Sequence, residues 1–129
     1  MALIKVEETL DKFTIYAEII KTGKDFVIVI GGGEKHIGAV GISFPTESII
    51  TGDTTITTSV ITLPSHKEDV VVKMFSEKVS KALNIKVVVV AGIHFDNISK
   101  NDIEKILKCC ERLCEKVIKR ICGNAYNKG

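Results

Sequence analysis

The sequence predicts a mixed α/β (α+β) fold: a single-layer, mostly antiparallel, five-stranded sheet with two helices, in the order β-β-β-β-α-β-α. Three observations predict it. Apolar residues recur with period two through much of the first half, the spacing of half-buried strands. After Pro64 the apolar period becomes helical, and it does so twice. Between the two helical stretches lie residues 86–91, with four consecutive valines, which read as a central strand.

The elements follow in order. Phe13, Ile15, Ala17 and Ile19 alternate with Thr14, Tyr16 and Glu18 and predict the first strand. Lys21-Thr22-Gly23-Lys24-Asp25 is a turn. Phe26 to Ile30 is an unbroken apolar run, suited to a strand buried on both faces. Gly31-Gly32-Gly33 predicts a hairpin turn, and a third strand runs from His36 to Phe44. After a connection ending in Gly52-Asp53, residues 54–63 are rich in Thr, Val and Ile and predict the fourth strand. Ser65 and Glu68 have the spacing of a capping box, so a helix is expected from there, with a stripe of Val71, Phe75, Val79 and Ala82. Ser99 and Asp102 form a second capping box, with Ile98 and Ile103 spaced as a hydrophobic staple. The last helix carries Ile103, Ile106, Cys110, Leu113, Val117 and Ile121 on one face, and Gly123 is expected to end it.

The composition excludes several classes. With 129 residues, 45% of them hydrophobic and 26% charged, the chain fits one globular domain (1–129), its core within about 12–122. A net charge of +2, with both signs interspersed, leaves no footprint for nucleic acid. No apolar run reaches membrane-spanning length and no signal peptide is visible, so a cytoplasmic protein with reduced cysteines is expected. Cys109, Cys110, Cys114 and Cys122 then act as small hydrophobes on or beside the last helix's stripe.

Strand directions carry the functional argument. If the first four strands form hairpins, the loops at Gly31–His36, Leu63–Asp69 and Gly92–Asn97 share one edge of the sheet. His36, His66 and His94 all fall there, and both helices begin there. Helix N-termini attract anions, and glycines allow close backbone approach to a ligand. The candidate ligand-binding residues are Gly31, Gly32, Gly33, His36, Ser65, His66, Lys67, His94, Asp96 and Asn97. Each has a plainer reading: bulge glycines, histidines bonded only to loop backbone, and acidic residues that cap. The histidine spacing matches no compact metal signature, so no metal is assigned. Catalytic residues are not assigned either.

Three stretches carry a resemblance: Gly33-Glu34-Lys35-His36-Ile37-Gly38-Ala39-Val40, residues 58–69 from Thr58-Ser59-Val60 to His66-Lys67-Glu68-Asp69, and Val87-Val88-Val89-Val90-Ala91-Gly92-Ile93-His94-Phe95-Asp96-Asn97. They resemble the LpdD-like prenylated-flavin chaperone family, which is similar in fold to proteasome assembly chaperones 3 and 4; the resemblance spans roughly residues 12 to 120. Ser65 stands where many members carry Gly. The resemblance implies an accessory chaperone that binds or delivers prenylated FMN, or FMN, to a prenylated-flavin-dependent decarboxylase. A homodimer through strand or helix contact is also expected, since the Thr54–Ser59 run can pair with another chain if it is an edge strand. Two alternatives stay open: a small histidine-dependent enzyme, such as a metal-dependent hydrolase or lyase, and a protein-assembly scaffold that takes no ligand.

Overall fold

The computed structural model describes residues 3–63 and 68–127. Six strands and two helices follow one another: β1 (Leu3–Leu10), β2 (Phe13–Thr22), β3 (Asp25–Gly33), β4 (Ala39–Glu47), β5 (Thr54–Thr62), α1 (Asp69–Leu83), β6 (Val87–His94) and α2 (Lys100–Asn127). The strands form one sheet in the order β1-β2-β3-β6-β4-β5. The fold class is as expected from the sequence, with one more strand. That strand, β1, pairs antiparallel with β2 across the two-residue turn Asp11-Lys12, and Asp11 takes a left-handed φ of 57° there. Aspartate tolerates this conformation better than most residues.

The expected hairpin between β3 and β4 does not form. Instead β6 lies between them, parallel to β3 and antiparallel to β4. Because β6 is parallel to one and antiparallel to the other, β3 and β4 still run in opposite directions. The expected strand directions therefore hold, although the expected neighbours do not. The triple glycine is not a turn: Gly31, Gly32 and Gly33 are the end of β3 and pair with Gly92, Ile93 and His94.

Both helices cover the same face of the sheet, α1 over β4, β5 and β6, and α2 over β1 and β2. The covered face is read directly from register. Ala17, Ile30, Ala91 and Ala39 form one row across four strands, and Ile19, Ile28, Val89 and Gly41 form the next. Together with Val72, Phe75, Val79, Cys110, Leu113 and Val117 from the helices, these residues belong to a single buried core. Gly41 has no side chain because a Cβ there would sit 3.2 Å from Val72. Only one face of β3 is fully buried: Ile28 and Ile30 are inside, while Val27 and Val29 are half-buried, so the expectation of burial on both faces fails.

The helix ends differ from expectation in two places. α1 begins at Asp69 with Glu68 at its N-cap, and the Glu68 side chain makes no capping hydrogen bond. Ser65, the expected cap, lies outside the described residues. α2 runs through Gly123 to Asn127 rather than stopping at the glycine. Its start is as expected: the Ser99 N–H donates to Asp102 Oδ2 at 3.0 Å and the Asp102 N–H to Ser99 Oγ at 3.1 Å. The Ser99 backbone N–H, with smaller help from Lys12 and from the Ser99 hydroxyl, holds the Asp102 carboxyl below its ordinary value. Ala82, Ile98 and Ile103 are exposed, so the two stripes are narrower than expected and the staple buries little.

The cysteines are packing residues. Cys109, Cys110 and Cys114 are buried and unpaired with one another. Burial pushes the Cys110 and Cys114 thiols up to about 12, from an ordinary 9.0. In this window the unfolded chain loses thiol protons that the folded chain keeps. The stabilisation is therefore complete below pH 9 and is lost as pH rises toward 12. Urea midpoints followed across that window are expected to fall. At neutral pH an alkylating reagent is expected to label the half-buried Cys122 well before the other three. Rapid labelling of Cys110 in the native protein would contradict this packing.

Candidate functional site

Three chain segments meet at the end of the sheet where β3 and β6 finish. After Gly33 the chain must pass from β3 to β4, which lie on opposite sides of β6. Residues 34–38 make that crossing over the end of β6. The Glu34 N–H bonds the His94 carbonyl at 3.0 Å on one side, and the Gly38 N–H bonds the Ala91 carbonyl at 2.9 Å on the other. Glycines make the crossing possible. A Cβ on Gly92 would overlap the His36 carbonyl, and one on Gly33, whose φ is 69°, would overlap the His94 carbonyl. The role of these glycines in the fold is thus close backbone approach within the sheet.

The crossing places His36 against the start of α1. His36 Nε2 lies 3.0 Å from Glu68 Oε1, and its Nδ1 lies 3.2 Å from the Glu34 carbonyl. The same Glu68 oxygen accepts the Ile93 N–H at 3.2 Å. A carbonyl only accepts, so the bond to Glu34 is donated by Nδ1–H, and Nε2 and the Glu68 carboxyl share the other hydrogen bond. The His36 side chain is 22% exposed and that of Glu68 8%. Gly38 leaves room for the carboxylate, since a Cβ there would overlap it.

His94 stands at the end of β6, perpendicular to His36, with ring centroids 6.1 Å apart. Its Nε2 lies 3.1 Å from Asp96 Oδ1, and both side chains are exposed to solvent. Phe95 turns the other way, into an edge-on contact with Phe13 at 5.0 Å, which anchors the loop after β6. Asn97 follows in a left-handed turn at φ 56°. Ile37 on the crossing and Leu63 just after β5 are exposed aliphatic side chains on the segments that meet here, while Ile61, paired with Val40, stands on the helix-free face. The Leu63 N–H bonds the Gly38 carbonyl, which ties this side to the crossing.

Of the residues singled out from sequence, Gly31, Gly32, Gly33, His36, His94 and Asp96 come together at this edge, and Asn97 follows in the adjoining turn. Ser65, His66 and Lys67 lie outside the described residues. Their described neighbours Leu63 and Glu68 both touch the crossing. Glu68 is the residue that sequence reasoning placed at the helix start but not in the site. It stands at the N-cap of α1, and its carboxylate links α1, β6 and the crossing. The signal available for it was indirect: glycines at both 38 and 92, where a strand pattern alone asks for side chains.

Among the described residues no group of three or more His, Cys, Asp or Glu is placed to hold a metal ion. Among the described residues the cluster presents two imidazole rings, each paired with a carboxylate, and exposed aliphatic neighbours, a set suited to a polar ligand with a flat apolar part. A separate open groove of about 770 Å³, lined by residues of β5 and the second half of α1 such as Thr54, Lys78 and Asn84, contains none of these residues.

The model of the prenylated flavin chaperone LpdD-like domain family matches residues 9–122. Among solved structures, a chaperone complex for yeast 20S proteasome assembly is similar in fold, with a TM-score of 0.56 and 13% identity over 93% of this chain and 98% of that one. No curated protein matches the sequence. No helix among the described residues is long and apolar enough to cross a membrane.

Proposed function

Because the chain belongs to the prenylated flavin chaperone LpdD-like domain family, we propose that it binds prenylated FMN, or FMN, at the histidine edge and delivers it to a decarboxylase, with no turnover of its own. The observation that carries this reading is the perpendicular pair His36 and His94, 6.1 Å apart, with His36 held in place by Glu68 and the Glu34 carbonyl and His94 half exposed beside it. The pair fits a flavin mononucleotide. The exposed imidazole of His94 suits its phosphate or ring carbonyls, and the exposed Ile37 and Leu63 suit the apolar side of its ring system.

In this reading the flavin carries the redox-active ring that the client enzyme uses, and the chain's own residues only hold and present it. His94, half exposed, reaches the ligand directly. His36 is less exposed and stands beside it, with Glu68 fixing its orientation. Asp96 and Asn97 serve ribityl hydroxyls. Gly31, Gly32 and Gly33 let the end of β3 pack closely against Tyr16, Ile15 and the His94 carbonyl and so support the cluster from within the sheet; Ser65, His66 and Lys67 are the further residues proposed to contact the ligand.

The test is native mass spectrometry of the purified protein mixed with prenylated FMN and, separately, with FMN. A one-to-one adduct is expected, weakened at least about tenfold by His94→Ala, the size of one charge-assisted hydrogen bond. No adduct with either flavin would remove the proposal. Co-expression with a decarboxylase and its flavin prenyltransferase then reads delivery, as decarboxylase activity with and without this protein.

A further inference from the structure

The β4–β5 hairpin runs past the rest of the sheet. β4 pairs with β6 over Ala39–Ser43 only, but with β5 as far as Glu47, which stands opposite Thr54. Phe44–Glu47 and their partners Thr54–Thr57 therefore form a two-stranded arm about 13 Å long, at the end of the sheet opposite the histidine edge. At its tip stand Ile49 and Ile50, 102% and 95% exposed; among the described residues no other large apolar side chain is as open to water. Tight turns ordinarily carry Gly, Asn, Asp or Ser, and two adjacent isoleucines at this one bury nothing within the fold.

The arm is held ready. An isolated two-stranded hairpin is only marginally stable. Here the Thr46 and Thr57 hydroxyls bond across the strands at 2.6 Å. In the turn, the Ser48 N–H donates to the Asp53 carbonyl and the Gly52 N–H to the Ser48 carbonyl, both at 2.9 Å. The Thr51 N–H donates to Ser48 Oγ and the Asp53 N–H to Thr51 Oγ1, each at 3.3 Å. An ordered turn thus presents the isoleucines, which lowers the ordering cost of a contact made through them. Beside the arm lies the open groove, between Thr54 and Ile56 on one side and Lys78 and Lys81 of α1 on the other.

We infer that this arm docks the enzyme that receives the flavin, its two isoleucines entering an apolar pocket with a basic rim; this rests on the chaperone reading above. Charge favours a protein over a lipid surface. Glu47 and Asp53 flank the tip, while exposed Lys78, Lys81 and Lys86 stand back at the arm's base. An anionic bilayer would meet the two carboxylates before any of these lysines. A protein surface can set basic groups against the tip and acidic ones against the base, which fixes orientation as well as attraction. Apolar anchors seated in a partner's pocket are the contacts that dominate an interface. β4 is nine residues long, so the tip stands more than about 26 Å from the histidine edge. The edge stays uncovered, and the chain can hold enzyme and flavin together.

Calorimetric titration of a purified apo-decarboxylase with the wild-type chain is expected to show a complex. The double variant Ile49→Ser/Ile50→Ser is expected to weaken it at least about thirtyfold. Its urea midpoint and its flavin adduct in native mass spectrometry are expected to match wild type, because neither isoleucine touches the core or the histidines. Lys78→Glu/Lys81→Glu is expected to weaken the complex about tenfold at low salt. A complex that the serine variant forms as tightly as wild type overturns the inference and leaves the chaperone reading standing. No complex with the wild-type chain overturns both the docking element and delivery. A complex that needs the isoleucines, formed by a chain that takes no flavin, supports the docking element and removes the flavin reading. Two other results overturn the inference: wild-type binding to phosphatidylserine vesicles that the serine variant loses, and a chain mass in light scattering that the serine variant alters.

Discussion

Replacing Gly92 with alanine is expected to destabilise the fold by about 2–3 kcal/mol, the upper part of the range for an added methyl in a packed site, and to take the His36–His94 cluster with it. Gly92 lies in β6, paired with Gly31, with no free space above it: the methyl would fall on the His36 carbonyl. That carbonyl is backbone, so no rotamer change relieves the overlap. The crossing would have to lift, and lifting it breaks the Gly38–Ala91 and Glu34–His94 hydrogen bonds that pin its two sides. His36 would then leave Glu68. Urea unfolding measures the stability loss, and flavin titration of the folded fraction measures the site. Gly123→Ala is the control. Gly123 lies within α2 with nothing in reach of a Cβ, so alanine there is expected to stabilise by up to about 1 kcal/mol. Equal stability of Gly92→Ala and wild type would show that the crossing moves freely and that the cluster does not depend on it.

The same crossing explains what could be read from the sequence and what could not. Period-two alternation marked β2 and β5, and the helical stripes of α1 and α2 were visible because each side chain's burial depends on its own element. The placement of three loops at one edge was also legible, since it needs only strand directions. Strand neighbours are different. Nothing local to Val87-Val88-Val89-Val90 says that it enters between β3 and β4. A hairpin between those two strands uses the same residues and the same directions. Once β6 is inserted, the triple glycine must extend beside it as strand, and Gly33 and Gly92 become close-approach positions rather than turn residues. β1 escaped notice for a different reason. Its covered face is Ile4, Val6, Glu8 and Leu10, and the glutamate interrupts the apolar period. The structure accommodates Glu8 through Lys116, whose Nζ lies 3.2 Å from its carboxylate.

Glu68 was the least legible residue of the site, and changing it is the second large effect expected. Its carboxylate bonds His36 and accepts the Ile93 N–H while its side chain is 8% exposed. Glu68→Ala leaves both partners facing a space that water fills poorly and is expected to cost about 2–3 kcal/mol, as buried polar groups do when they lose a partner. Glu68→Gln keeps a side-chain oxygen at the same reach, so it is expected to cost about 1 kcal/mol or less. The start of α1 does not separate the two variants, because the bond from the Val72 N–H goes to the backbone carbonyl of residue 68, which both retain. Hydrogen exchange at Ile93 reads the difference directly: protected in wild type and Glu68→Gln, faster in Glu68→Ala. Flavin binding sorts the variants another way. A neutral amide holds His36 less firmly than a carboxylate does, so Glu68→Gln is expected to bind FMN more weakly than wild type despite its near-native fold. If Glu68→Gln binds as wild type does, the charge of Glu68 plays no part in holding His36 for the ligand. If Glu68→Ala proves as stable as Glu68→Gln, the carboxylate is not the joint between α1, β6 and the crossing that its contacts describe.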